Sequence, residues 1–240
     1  MKKLLFLLSI IYATLSFSQE NEVDEKHWFG NFDLGINFTK NIESTFQFNN
    51  VLLVHYKRGK SDFSLGNNMA FINKTGEDEL LNKGTQDFKY ALKLNKFDAN
   101  LTFQHLYDIS RSIQNRYSSG IGLSYNFSDK DDEKIGMGLS ALREKETSVE
   151  EEYKLQNRLS GHVDFMVALN EHITLITTNQ YQPNIKEVGD FRWKTNISLR
   201  INLNSHFLLS INTTFNYESY PEKEIPEADY QLINNISYTF

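Results

Sequence analysis

The chain has 240 residues and a formal charge of −6, with 31 acidic residues against 25 basic ones. That acidic balance argues against nucleic acid as a partner. The absence of cysteine excludes disulfides, thiolate metal sites and a lipid-modified N-terminal cysteine.

The first eighteen residues read as a secretory signal peptide: Lys2 and Lys3 precede the apolar run 4–12, and the small residues Ser16 and Ser18 flank Phe17 before Gln19. Its apolar core is short for a membrane helix, and no other stretch approaches the roughly 20 apolar residues such a helix needs. Cleavage there removes two lysines and no acids, leaving 23 basic against 31 acidic residues and a charge of −8. Residues 19–26 then form a short periplasmic segment, and residues 27–240 form one large domain, a size at which all-β barrels fold as single units.

From residue 27 onward one design repeats: ten to fifteen residues of alternating character, then a polar turn. Weaker instances cover residues 28–38, 46–56, 63–71, 88–94, 97–107, 117–127, 135–141 and 173–181. Clear ones cover 153–169, 191–203 and 207–217, and a last one covers 230–240. In 191–203 the odd positions are Phe191, Trp193, Thr195, Ile197, Leu199, Ile201 and Leu203, and the even ones include Arg192, Lys194, Asn196, Ser198, Arg200 and Asn202. Successive strand side chains point to opposite faces, so one face is greasy and the other polar. The expectation is an all-β fold, an antiparallel transmembrane β-barrel of about twelve strands.

Alternation alone also suits a soluble sandwich, so three further features decide. The segments match the roughly nine to eleven residues of a tilted membrane strand rather than the five or six usual in soluble sheets. Aromatic pairs such as Trp28 and Phe38, Phe97 and Tyr107, and Phe207 and Tyr217 end the greasy faces. Their spacing gives about 33 Å along a strand, or roughly 24 Å of depth at a 45° tilt, the height of an apolar band between two aromatic girdles. Finally, Asp98, Arg116, Arg158, Asp164, Arg192, Lys194 and Arg200 are too many charges for an apolar core. The three prolines, Pro183, Pro221 and Pro226, are read as loop residues, as a closed ladder requires. Connections alternate between short turns and charged loops at 73–82, 144–152, 183–190 and 218–227, although 39–43 looks too tight for its place in that alternation.

Ile236, Tyr238 and Phe240 alternate outward to the chain end, like the terminal-strand signal read by the barrel assembly machinery, with Asn235 where many such signals carry glycine. The stretches Trp28-Phe29-Gly30-Asn31-Phe32-Asp33-Leu34-Gly35-Ile36-Asn37-Phe38-Thr39-Lys40-Asn41, Asn115-Arg116-Tyr117-Ser118-Ser119-Gly120-Ile121-Gly122-Leu123-Ser124-Tyr125 and Asn157-Arg158-Leu159-Ser160 resemble the YdiY-like family, domain of unknown function 481. Ser124 stands where glycine is commoner in that family. The resemblance implies an outer-membrane protein, in one branch salt-induced, and carries over no ligand, cofactor or active residue.

Several groups invite a functional reading beside a plainer one. Gly120, Gly122, Gly136 and Gly138 share the polar parity, where they either leave space for a solute or relieve crowding. The inward set Arg158, Arg192, Lys194 and Arg200 either attracts an anionic solute or is consumed, with Asp164 and His162, by cross-barrel salt bridges; Arg116 joins the same inward face. His105 near Ser110 and Ser112 has lipid-facing parity, and Ser160, His162 and Asp164 are spaced about 7 Å apart, too far for a nucleophile and its base. The six histidines form no ligand pair, and the acids of 144–152 read as a solvated loop. The function expected is a structural or small-pore outer-membrane protein in envelope maintenance, non-enzymatic and without cofactor or metal, with outer-membrane lipid as its surroundings and a small solute in the lumen as a possible partner. The alternatives are a ligand-binding barrel, either soluble and lipocalin-like or binding in its lumen, and, further off, a lipid-active barrel enzyme.

Overall fold

A computed structural model describes residues 27–40, 44–74, 81–150, 152–222 and 224–239. They form twelve antiparallel strands: β1 (Trp28–Lys40), β2 (Ser44–Arg58), β3 (Ser61–Lys74), β4 (Leu81–Leu94), β5 (Phe97–Asp108), β6 (Ile113–Asp129), β7 (Glu133–Ser148), β8 (Tyr153–Ala168), β9 (Ile173–Pro183), β10 (Phe191–Asn202), β11 (Phe207–Glu218) and β12 (Ala228–Thr239). Each strand pairs with its neighbour in sequence, and β12 returns to β1 to close the barrel. Both ends of the barrel domain lie on one rim, the terminal rim, together with short connections at 59–60, 95–96 and 130–132. Gly59 (φ 57°) and Asn95 (φ 63°) supply the left-handed backbone those two-residue turns need. The opposite, distal rim carries the connections at 184–190 and 219–227 and a 3-10 turn at Ile109–Arg111.

The alternation becomes the two faces of the wall. Leu34, Leu65, Leu101, Ile121, Leu123, Leu139, Leu155, Phe165, Ile197, Leu232 and Ile236 are exposed on the outside, Ile121 by 67%. Their neighbours in sequence point into the lumen, where Asp33, Asn100, Ser118, Ser160, Ser210, Asn235 and Ser237 are buried. A soluble lipocalin-like barrel has the reverse arrangement, so the wall is built for hydrocarbon. Rings gather at both rims. Trp28–Tyr56 (4.7 Å between centroids), Phe63–Tyr90 (4.8 Å) and Phe97–Tyr125 (4.9 Å) lie at the terminal rim, and Tyr181–Phe191 (5.3 Å) and Phe191–Tyr217 (5.6 Å) at the distal one. These are the two girdles the aromatic spacing implied.

Four details depart from the sequence reading. Pro183 is the last residue of β9, opposite Phe191, where a missing N–H costs the ladder little, rather than a loop residue. The strand β7 runs on to Ser148, so Glu144 and Glu146 are strand residues and not part of a loop. The outer wall also carries a polar stripe. Asn67 donates to Asn50 (3.2 Å) and Gln86 to Asn67 (3.3 Å), and His105 bridges Gln86 (2.6 Å) and Asn115 (2.9 Å). Each member satisfies its neighbour, which is how polar groups are tolerated at such a surface. Last, Val51, Leu53 and Ala70 take inward positions on β2 and β3, so the lumen is not polar throughout. The proposed signal peptide, residues 19–26 and Phe240 lie outside the described residues.

Ile121 sits midway along β6 on the greasy face. Ile121→Arg should destabilise the barrel by about 2–4 kcal/mol, the cost of a cation at mid-bilayer on a barrel wall. Equilibrium urea unfolding in lipid vesicles measures it; an unchanged midpoint would show that this face does not meet hydrocarbon.

Candidate functional site

The lumen holds a cavity of about 490 Å3 whose lining includes Asp33 and Asn49 from β1 and β2, Val51 and Leu53 from β2, and Lys194 and Arg200 from β10. Where β6, β7, β8, β10 and β11 approach the distal rim, their inward positions carry Arg116, Glu144 with Glu146, Arg158, Arg192 and Glu218. The 3-10 turn between β5 and β6 adds Arg111.

Arg192 is the hub of this group. Its Nη1 donates to Glu144 Oε2 (2.6 Å), its Nη2 to Glu146 Oε2 (3.2 Å) and its Nε to Glu218 Oε1 (2.8 Å). Arg116 closes a second ring by pairing with Glu146 and reaching Glu218 Oε1 (3.5 Å). Arg111 meets Glu218 Oε2 (3.2 Å) and Asp229 of β12. Since β6 and β11 stand five strands apart in a twelve-strand ring, the network crosses the lumen and does not merely line it.

Arg158 anchors the network in the wall. Only 1% exposed, it donates from Nη2 to Asp190 Oδ1 (2.7 Å) and Gln156 Oε1 (2.9 Å), and from Nη1 to the carbonyls of Gln182 (3.1 Å) and Asp190 (3.2 Å). Its Nε has no hydrogen-bond partner but faces Glu144 Oε2 at 3.3 Å. A buried guanidinium costs several kcal/mol unless paired in this way. Because Asp190 belongs to the 184–190 connection and Asn184 also donates to it (2.9 Å), the same contacts fold that connection onto the barrel.

The inward candidates read from sequence thus separate into two sets. Arg116, Arg158 and Arg192 join the network, whereas Lys194 and Arg200 line the cavity without an ion pair or hydrogen bond to any described residue. Asp164 lies outside the network, with His162 Nε2 at 3.5 Å. Gly120 and Gly138 leave room for crossing side chains: an added Cβ would overlap Leu142 and His162 respectively. Sequence reasoning missed Glu144, Glu146, Glu218, Asp229 and Asp190, having placed the first three in charged loops. The signal was present, since Gly136, Gly138, Ser140, Leu142, Glu144 and Glu146 continue one even parity. On β12, Ile236 and Tyr238 face outward against Leu209 and Phe207 of β11. Among the described residues no cluster of His, Asp or Glu is arranged to hold a metal ion.

Comparison with known proteins gives the fold context. No curated protein matches the sequence. Among solved structures, the chain is similar to the NanC porin (TM-score 0.50, 10% identity, covering 87% of this chain and 96% of that one). It also resembles the KdgM porin in complex with disordered oligogalacturonate (0.46, 11%, 88% and 99%) and an anion-selective porin from Comamonas acidovorans (0.42, 9%, 89% and 98%). At such identities the likeness is one of fold. The model of a family described as "Protein of unknown function, DUF481" matches residues 54–240, from within β2 to the chain end, and the chain belongs to that family.

Proposed function

We propose that the protein is a non-catalytic outer-membrane channel for small solutes whose distal mouth is held shut at rest by the network around Arg192. The observation that carries this reading is the pairing of a cavity of about 490 Å3 inside a greasy wall with charged side chains that meet across one end of it. A barrel serving only as a scaffold could fill its lumen with packed side chains, and this one leaves space beneath a tie made of separable ions. In this reading the terminal rim faces the periplasm and the distal rim the exterior. Solute selection falls to the cavity wall, where Lys194 and Arg200 make no close ion pair and favour anions.

Planar-bilayer recording of the refolded protein tests both parts. The unmodified chain should conduct weakly, and replacing both members of the hub pair, Arg192→Gln with Glu144→Gln, should raise single-channel conductance severalfold. Absence of conductance in either protein would make the barrel a closed scaffold. Glu144→Gln alone removes a carboxylate facing both Arg158 and Arg192 and should lower stability by about 3–5 kcal/mol, as leaving buried charge unmatched does, read by urea unfolding in vesicles. An unchanged midpoint would mean that the arginines are matched without it.

Charge reversal at Lys194 and Arg200, both to Glu, should move the reversal potential in a salt gradient from the anion side towards the cation side. Unaltered selectivity would show that this wall does not meet the permeating ion.

A further inference from the structure

The wall is not laddered to its full height. β1 meets β12 only at Asn31↔Thr239, Phe32↔Tyr238, Asp33↔Ser237 and Leu34↔Ile236, whereas β11 holds β12 from Phe207↔Tyr238 to Tyr217↔Ala228. Among the described residues, 35–40 of β1 and 228–235 of β12 therefore face each other with no strand pairing between them. An open edge is costly in hydrocarbon unless water or polar groups reach it.

Polar ties stand where the ladder is missing. At the lower end of the slit Asn49 of β2 passes over β1 and donates to Asn235 of β12 (2.9 Å). It crosses at Gly35, where a Cβ would overlap its amide. At the upper end Arg111 holds Asp229.

The lumen beside the slit has two characters. In order around the barrel come β3, β2, β1, the slit, β12, β11 and β10. Val51, Leu53 and Ala70 present an apolar patch to the cavity on one side of the slit, Ile233 adds to it from β12, and Lys194 and Arg200 stand beyond on β10. A cavity with an apolar patch, a lysine that makes no close ion pair, a tied axial mouth and an unladdered seam beside it suits a ligand with the same two halves. We infer that the β1–β12 slit is a lateral port through which a single-chain anionic amphiphile, with a carboxylate or phosphate head, passes between the lumen and the bilayer. Its head meets Lys194, on the distal half of β10, and its chain lies along Val51, Leu53 and Ile233 towards the slit. This rests on the membrane-channel reading above and narrows its solute.

The chain has two tryptophans and no cysteine, which allows a clean test. Ile233→Trp in a Trp28→Phe, Trp193→Phe background reports from the lumen wall; heat-modifiable gel migration confirms that each variant is folded. In vesicles, 9,10-dibromostearate and a brominated lysophosphatidate separate the carboxylate and phosphate sources, and the dibromostearate methyl ester is the neutral control. At least one acid should quench the new tryptophan and the ester should not. Lys194→Gln should raise the half-quenching concentration about tenfold, the equivalent of roughly 1.4 kcal/mol. Ile36→Cys and Asn234→Cys continue the register of the four seam pairs across the slit. Joining them with a short reducible bis-maleimide should abolish quenching, and reduction should restore it. Silence from both acids, equal quenching by the ester, or indifference to the linker overturns the port. Conductance of the same preparation keeps the two readings apart: a conducting protein without quenching loses the port and keeps the channel, and quenching without conductance does the reverse.

Discussion

The constraint behind this architecture is that hydrocarbon offers no partner to a peptide N–H or C=O, so a chain that crosses it as strands must satisfy each group from a neighbouring strand. Closure through β1 and β12 follows from this, as do the placement of Pro221 and Pro226 outside the strands and of Pro183 at a strand end. The constraint also explains the low mean hydropathy of the chain: only one of the two faces needs to be greasy. Polar groups on that face survive where they satisfy one another, as from Asn50 to Asn115.

The lumen obeys a different rule. A charge there has lost part of its hydration and must recover it from partners, and the distal network does so by sharing. Glu218 answers Arg111, Arg116 and Arg192, and Glu144 answers Arg158 and Arg192. Shared ions give a tie whose members depend on one another, so removing one leaves several imperfectly matched. Arg158, buried in the wall with five oxygen partners around its two terminal nitrogens, three of them from Asp190, is the fixed end of that tie, and Arg192 is its centre.

Strand number and facing were legible because period-two alternation is a local property of the chain, and residues 191–203 state it plainly. Residues 50–54, Asn-Val-Leu-Leu-Val, do not: apolar residues at both parities hide which ones face the lumen, and only the register Asp33↔Val51 and Asn31↔Leu53 settles it. The inward arginines were legible by the same parity, but their partners were not. Glu144 and Glu146 look like loop residues in the sequence because charge density near a strand end resembles solvent exposure. Pairing of β7 with β8 through Thr147↔Tyr153 keeps them in the wall. Which carboxylate meets which arginine depends on barrel curvature and on contacts between residues about a hundred positions apart, such as Arg111 with Glu218, and sequence spacing carries no trace of that.

In the proposed scheme Arg111 links the two ways out of the lumen. The guanidinium that meets Glu218 in the distal network also holds Asp229 on the stretch of β12 that lacks a β1 partner. Withdrawing it would loosen the axial tie and free the upper edge of the slit in one movement, whereas the lower strap from Asn49 to Asn235 is neutral and independent of it. In the proposed scheme an anionic head at Lys194 lies close to Asp229 and repels the carboxylate that Arg111 holds. In this scheme the ligand that uses the port weakens the contact that guards it, and the short seam between Leu34 and Ile236 and the rim keeps the barrel closed while it does so.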